Sequence, residues 1–236
     1  MTPEKIKPRW VFRGASSEEK VAVPDFFNLN NIPEGTARIM MRRGISTEEK
    51  LTHFLYDTLD NLSDPFLMKG MQQAVRRIIQ AIDLKEKIVI YGDYDVDGIT
   101  STSICVRCLR KLGADVNFYI PLREEEGYGL NRDAINKLSK EGVSLLITVD
   151  CGISSADLVA EAPQSLDIII TDHHQPPKVL PDCVAVLNPH QEDCPYPYKE
   201  LAGCGVAFTL CRGIYKELYN EDYKEKGNPD LKHTVA

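Results

Sequence analysis

No apolar run in these 236 residues approaches the roughly 20 residues needed to span a bilayer, and the N-terminus "MTPEKIKPRW" carries charges where a signal peptide would be apolar. A membrane protein or a secreted precursor is therefore not expected; the reading is a cytoplasmic chain with no membrane partner. The sequence also lacks a disulfide framework. Its seven cysteines are odd in number and scattered through apolar segments, which suits reduced core thiols. Cys105 and Cys108 form a C-x-x-C, but no second pair follows at zinc-site spacing, so two small apolar residues on one helix face are the preferred reading. There is no excess of positive charge. The net charge of -7 argues against a nucleic-acid-binding surface spread over the whole molecule, while leaving room for a local basic groove or for a site that collects divalent cations. Neither internal repeats nor low-complexity segments are present.

What is there is enough for a substantial core, with 43% hydrophobic residues. The pattern changes near residue 69. Residues 1–68 show a helical stretch around 34–43, a second beginning at "STEEKLTHFLYD" with Ser46 and Glu49 as a capping box, and an irregular "DNLSDPFLMKG". They are expected to form a mainly helical N-terminal extension on a main domain of residues 69–236. From 69 onward helices alternate with short Val/Ile-rich runs: "KIVIYG", "DVNFYI", "SLLITVD", "LDIIIT" and "VAVLN". This alternation predicts an α/β fold, a mostly parallel sheet with helices on both faces, in which ligands bind beyond the carboxyl ends of the strands.

Chemistry-bearing residues lie at those ends. "KIVIYG" runs into "DYDVDG", "SLLITVD" ends on Asp150 followed by "CGISS", and "LDIIIT" runs into Asp172, His173 and His174 before Pro176 and Pro177 break the chain. One acid after a strand is a common turn or helix cap. Three converging clusters supply both carboxylate oxygens and imidazole nitrogens, which suits Mg²⁺, Mn²⁺ or another transition metal. Asp93, Asp95, Asp97 and Gly98 also match the opening of an EF-hand calcium loop. That reading fails at the twelfth position, where Ile104 stands in place of a bidentate Glu, and because a strand precedes the motif. A strand-to-helix turn fits better, with helix N-terminal amides available to an anion beside carboxylate-bound metals.

The segments "GDYDVDG", "VDCGIS" and "TDHHQP" resemble those of the DHH phosphoesterase superfamily, and "PLREEEGYGLN" and "LNPHQEDCPYPYKELAGCGVAF" are most similar to RecJ-type single-strand-specific 5′ to 3′ exonucleases. The resemblance covers about residues 69–215, in family order. It implies a two-ion Mn²⁺ or Mg²⁺ site in which Asp95 and Asp97 each contact one metal, Asp150 bridges both and His173 completes the position holding Asp97. His174 would act on the scissile phosphate, with Asp93 within ligand reach. Asn188, Arg123 and Tyr128 would line the path of single-stranded DNA. Helicase or single-strand-binding-protein partners are implied as well.

Many members carry His four residues before the first metal-binding Asp of the turn; this chain has Tyr91. The family's later metal-binding Asp finds no match in the last stretch, where Asp222 and Asp230 lie in a linker-like segment. The chain is therefore expected to be the N-terminal part of a longer enzyme, holding metal weakly and hydrolysing little by itself. Two other readings stay open, a phosphoesterase of small molecules or short oligonucleotides and an inactive scaffold. His53 and His233 read as isolated, His190 is undecided, and Tyr196 and Tyr198 either stack on bases or pack their Pro-rich loop.

Overall fold

The computed structural model describes residues 22–121 and 129–219. Arg123, Tyr128, Asp222, Asp230 and His233 lie outside them. The chain divides into two compact units, Met1–Asn61 and Leu62–Ala236.

In the first unit, α1 (Asp25–Leu29), α2 (Glu34–Arg42) and α3 (Glu48–Tyr56) bury Phe27, Ala37, Met40 and Leu51 together. The start of α3 differs from the expected capping box by one residue. Thr47, not Ser46, is the N-cap, and its hydroxyl accepts a hydrogen bond from the Lys50 amide at 3.3 Å. Adjacent hydroxyl residues are both good caps, and only the backbone turn decides between them.

The second unit is an α/β layer structure. Its elements are α4 (Met71–Asp83), β1 (Lys87–Gly92), α5 (Val96–Lys111), β2 (Asp115–Tyr119), α6 (Arg132–Lys140), β3 (Val143–Val149), α7 (Ala156–Ala160), β4 (Asp167–Thr171), β5 (Ala185–Leu187) and α8 (Gly203–Tyr219). All neighbouring strands are parallel, in the order β2-β1-β3-β4-β5. Strand alternation sends Ile88, Ile90, Leu145, Ile147, Val149 and Ile169 to a core shared with α4, α5 and α8. Val89, Tyr91, Leu146, Ile168 and Ile170 pack on the opposite face with α6 and α7. A register shift opposite Lys87 and Ile88 lets Val143 and Leu145, two residues apart, face opposite cores. With helices covering both faces, the inner strands β1, β3 and β4 can be apolar along most of their length, which is why their sequences read as continuous runs, while the edge strand β2 buries only Val116.

The strand order reverses between β1 and β3. In open parallel sheets that reversal opens a crevice at the carboxyl ends of the strands, and the loops after β1 and β3 carry Asp93 and Asp150.

Candidate metal centre

Each acidic group is placed by a local backbone requirement. Beyond β1 the chain turns sharply into α5. Asp95 is the N-cap, its Oδ1 accepting from the amides of Asp97 at 2.9 Å and Gly98 at 3.0 Å. Gly98 is needed because a Cβ there would collide with the Asp93 backbone, 2.6 Å from both its carbonyl carbon and its nitrogen. Asp93 is buried, with Oδ1 taking the Tyr94 amide at 2.7 Å. Only one of the three acids is thus used as a helix cap.

Asp150 follows β3 in the left-handed region, at φ 60°, a conformation that Asp tolerates better than most residues. Its side chain is 2% exposed. Oδ1 has no hydrogen-bond partner, although His173 Nε2 stands 3.1 Å away. Burial first, then repulsion from Asp97 and Asp95, pushes its carboxyl up to about 7. An orphaned carboxylate oxygen among other acids and an imidazole is what a cation position requires.

Asp97 projects from the first turn of α5 to the start of α8, where Gly203 N and Cys204 N each donate to it at 2.7 Å. Burial would raise this carboxyl, but the Cys204 and Gly203 amides outweigh it and hold the group below its ordinary range. The Cys204 thiol is pushed up to about 11, by burial and then by its hydrogen bond to Asp97, so it stays protonated. A Cβ on Gly203 would lie 2.7 Å from Asp150 Oδ1 and 2.8 Å from Asp150 Cβ. Gly203 therefore lets the N-terminus of α8 close over both acids.

The loop after β4 is organised by Asp172, which is buried. Its Oδ1 accepts from the amides of His173 at 2.7 Å and His174 at 3.1 Å and lies 2.7 Å from His174 Nδ1. Its Oδ2 takes the Ile153 amide at 3.0 Å. Burial lowers the His174 pKa, but the Asp172 hydrogen bond and charge outweigh it and leave it raised. His173 Nε2 lies 3.5 Å from Asp97 Oδ2 as well as close to Asp150.

Among the described residues two sets of potential ligands emerge, Asp93 with Asp95 and Asp150, and Asp150 with His173 and His174; within each, ligand atoms lie within 4.8 Å of one another. Asp150 is common to both. The oxygen set suits a hard divalent ion and the imidazole set a borderline one. His174 thus stands where it can ligate, a role beside the phosphate contact that the resemblance implied for it.

Asn188 is fully buried. Its Nδ2 donates to His174 O at 2.9 Å and its Oδ1 accepts from His190 N at 2.8 Å, so the amide fastens two loops together rather than reaching into open space. Tyr91 points into the α6 and α7 core, donates its hydroxyl to Gly129 O at 2.9 Å and stacks on Tyr119. Tyr196 is buried and Tyr198 is 59% exposed. All seven cysteines are free thiols. The contacts of Gly203 and Cys204 with Asp97 had no counterpart in the sequence reading. Their only signal was a Gly-rich "AGCG" opening a helix, which marks close approach without naming what approaches.

A parallel sheet with acids and histidines gathered beyond the carboxyl ends of its strands defines an α/β protein with a candidate metal centre. The chain belongs to the DHH family: residues 87–235 match the family's N-terminal domain. It is 44% identical over 216 residues to a single-stranded-DNA-specific exonuclease RecJ of Bacillus subtilis (strain 168), covering 91% of this chain and 27% of that protein. A namesake from Haemophilus influenzae is 43% identical over 166 residues, covering 68% of this chain and 29% of that protein. Among solved structures, an exonuclease RecJ bound to manganese is 35% identical with a TM-score of 0.59, covering 66% of this chain and 40% of that one. A RecJ from Thermus thermophilus in complex with Mn²⁺ has a TM-score of 0.64 at 29% identity, covering 84% of this chain and 28% of that one. The chain thus spans less than a third of the length of these curated relatives.

Proposed function

We propose that this chain carries the metal centre of a phosphodiester-hydrolysing enzyme acting on single-stranded DNA from the 5′ end, with Mn²⁺ or Mg²⁺ as cofactor. The observation that carries the reading is Asp150, a buried carboxylate with an unpartnered oxygen shared by two ligand sets. The likeness to single-stranded-DNA-specific exonucleases and the manganese in a solved neighbour support the substrate and the metal.

Asp93 and Asp95 would hold one ion and His173 the other, with Asp150 between them. Asp97 would join His173 at that second position, since each of its oxygens accepts one amide and keeps a lone pair, and those amides also tie α5 to α8. When bound, such an ion pair lowers the pKa of water and stabilises charge on the phosphate oxygens. The chain's own part is to hold that charge in place. Asp172 fixes the orientation of the His174 ring, and an Nδ1–H donated to Asp172 leaves Nε2 to meet a metal or a phosphate oxygen. The Asp172 hydrogen bond and charge raise the ring's affinity for a proton, and an Nε2–H facing a phosphate oxygen would stabilise a developing oxyanion. Asn188 sets the loop that carries His174.

Calorimetric Mn²⁺ titration of the chain and of Asp150→Ala tests the centre. Binding in the parent that is lost in the variant is expected, and equal binding by both would remove the shared site. Incubation with a 5′-phosphorylated single strand, its duplex and a dinucleotide then tests the substrate. Slow release of nucleotides from the single strand is expected. Preference for the dinucleotide would move the reading to a small-molecule phosphoesterase.

A further inference from the structure

His190 and the residues after His174 enclose a second feature beside the metal centre. Gln175, Pro176, Pro177 and Lys178 leave His174 along one wall, and a cavity of about 400 Å³ opens between Pro176–Lys178 and the His190–Asp193 turn, with Lys69 at its edge. The walls are not independent of the centre. Asn188 ties His174 O to His190 N, and Gln175 Nε2 lies 3.4 Å from His190 Nδ1.

Charge and shape restrict the occupant. Lys69 is already paired with Asp193 at 2.9 Å, and the remaining rim charges, Lys178 and Glu192, are of opposite sign. A rim that sums to zero has no net attraction for an isolated phosphate or for a divalent cation. The cavity falls within the usual size range of small-molecule sites, roughly 300 to 1,000 Å³. Two proline rings offer apolar surface and the His190 imidazole a flat face, while Glu192, Lys178 and the polar atoms of His190 and Gln191 offer acceptors and donors at the edge. A neutral, planar ligand with hydrogen-bonding edges matches this combination, and a nucleobase is such a ligand.

We propose that this cavity seats one base of the strand whose phosphate lies at the metal centre. The inference rests on the nuclease reading above and adds a subsite to it. Holding a base by its faces gives affinity with little sequence preference, since every base has a π-face. It also requires the base to be unpaired, so the cavity selects single strands one step away from the chemistry.

The test follows backbone amide spectra of the 236-residue chain in Mg²⁺ during titration with 5′-phosphorylated trithymidylate and with analogues that lack one base. The amides of Gln175, Lys178 and residues 190–192 are expected to shift with trithymidylate. Removing the seated base, or substituting His190→Ala, is expected to weaken binding by about tenfold, and the two changes together by no more than either alone. Pro177→Ser, on an exposed position, repeats the test without touching the His190 turn. Trithymidylate that binds while these amides stay still, or abasic analogues that all bind as well as the parent, would overturn the base subsite and leave the nuclease reading intact. No binding of any oligonucleotide would take down both.

Discussion

Gly203 is the residue on which two acids depend. It supplies an amide to Asp97 and leaves no room for a side chain against Asp150. Gly203→Ala is expected to destabilise the chain by about 1–3 kcal/mol through overpacking and to lower Mn²⁺ affinity by about tenfold or more by moving Asp150. Gly205→Ala is the control, because the atoms nearest a Cβ there all belong to the Leu201 side chain, the flexible Cδ2 at 3.0 Å and Cβ at an ordinary 3.5 Å; urea denaturation and metal titration of both variants make the comparison. Asp150 itself gives a pH dependence. Its carboxyl rises from 3.8 to about 7 on folding without metal. The folded state therefore favours the protonated form, so the contribution is fully present below 3.8 and is lost as pH rises through about 7. Metal-free urea midpoints should fall across that window. His174, also raised, adds a fall in the same direction above its ordinary 6.5. Asp150→Asn isolates the first effect, and a variant whose midpoint still falls as steeply between about pH 4 and 7 would show that Asp150 is not the cause.

At the scale of elements, β1, β3 and β4 were readable because both faces of the sheet are covered there, whereas the edge strand β2 buries only Val116. Buried parallel strands are mostly apolar, and "KIVIYG" forms β1 over Lys87–Gly92 as read. Their endings were readable for a related reason, since the acids and histidines begin where the apolar run stops. Helix starts were less so. Ser46 and Thr47 have the same capping chemistry, and the choice of Thr47 lies in a backbone turn that no residue type declares. Ser46→Ala is expected to be neutral and Thr47→Ala to cost about 0.5–2 kcal/mol, measured as the urea midpoint of the same two variants. The site's remaining connections escaped because they are non-local. Asp97 and Cys204 are 107 residues apart in sequence, and the α5–α8 contact that joins them is a property of packing. Asn188 was legible as a residue at a strand end. That both its amide atoms serve the backbone of neighbouring loops was not, since nothing in its sequence neighbours distinguishes holding a loop from meeting a ligand.

Across the whole molecule, the metal-free centre works against folding. Asp93, Asp95, Asp97 and Asp150 converge at one sheet edge in a chain of net charge -7, and the raised Asp150 carboxyl registers its burial first and then repulsion from Asp97 and Asp95. Charge of this kind persists where a cation compensates it, so the fold and the metal are linked. An ion that binds only the folded state stabilises it by about 2.7 kcal/mol at one hundred times its dissociation constant. Mn²⁺ at that excess is expected to raise the urea midpoint of the parent chain and leave that of Asp150→Ala unmoved. The two compact units sharpen the measurement. The ligands all belong to Leu62–Ala236, so hydrogen exchange should slow on β1, β3 and β4 when Mn²⁺ is added, while α2 and α3 of the Met1–Asn61 unit stay as they were. Equal slowing in both units would mean that the ion acts on the chain at large, and the site at the strand-order reversal would lose its claim to it.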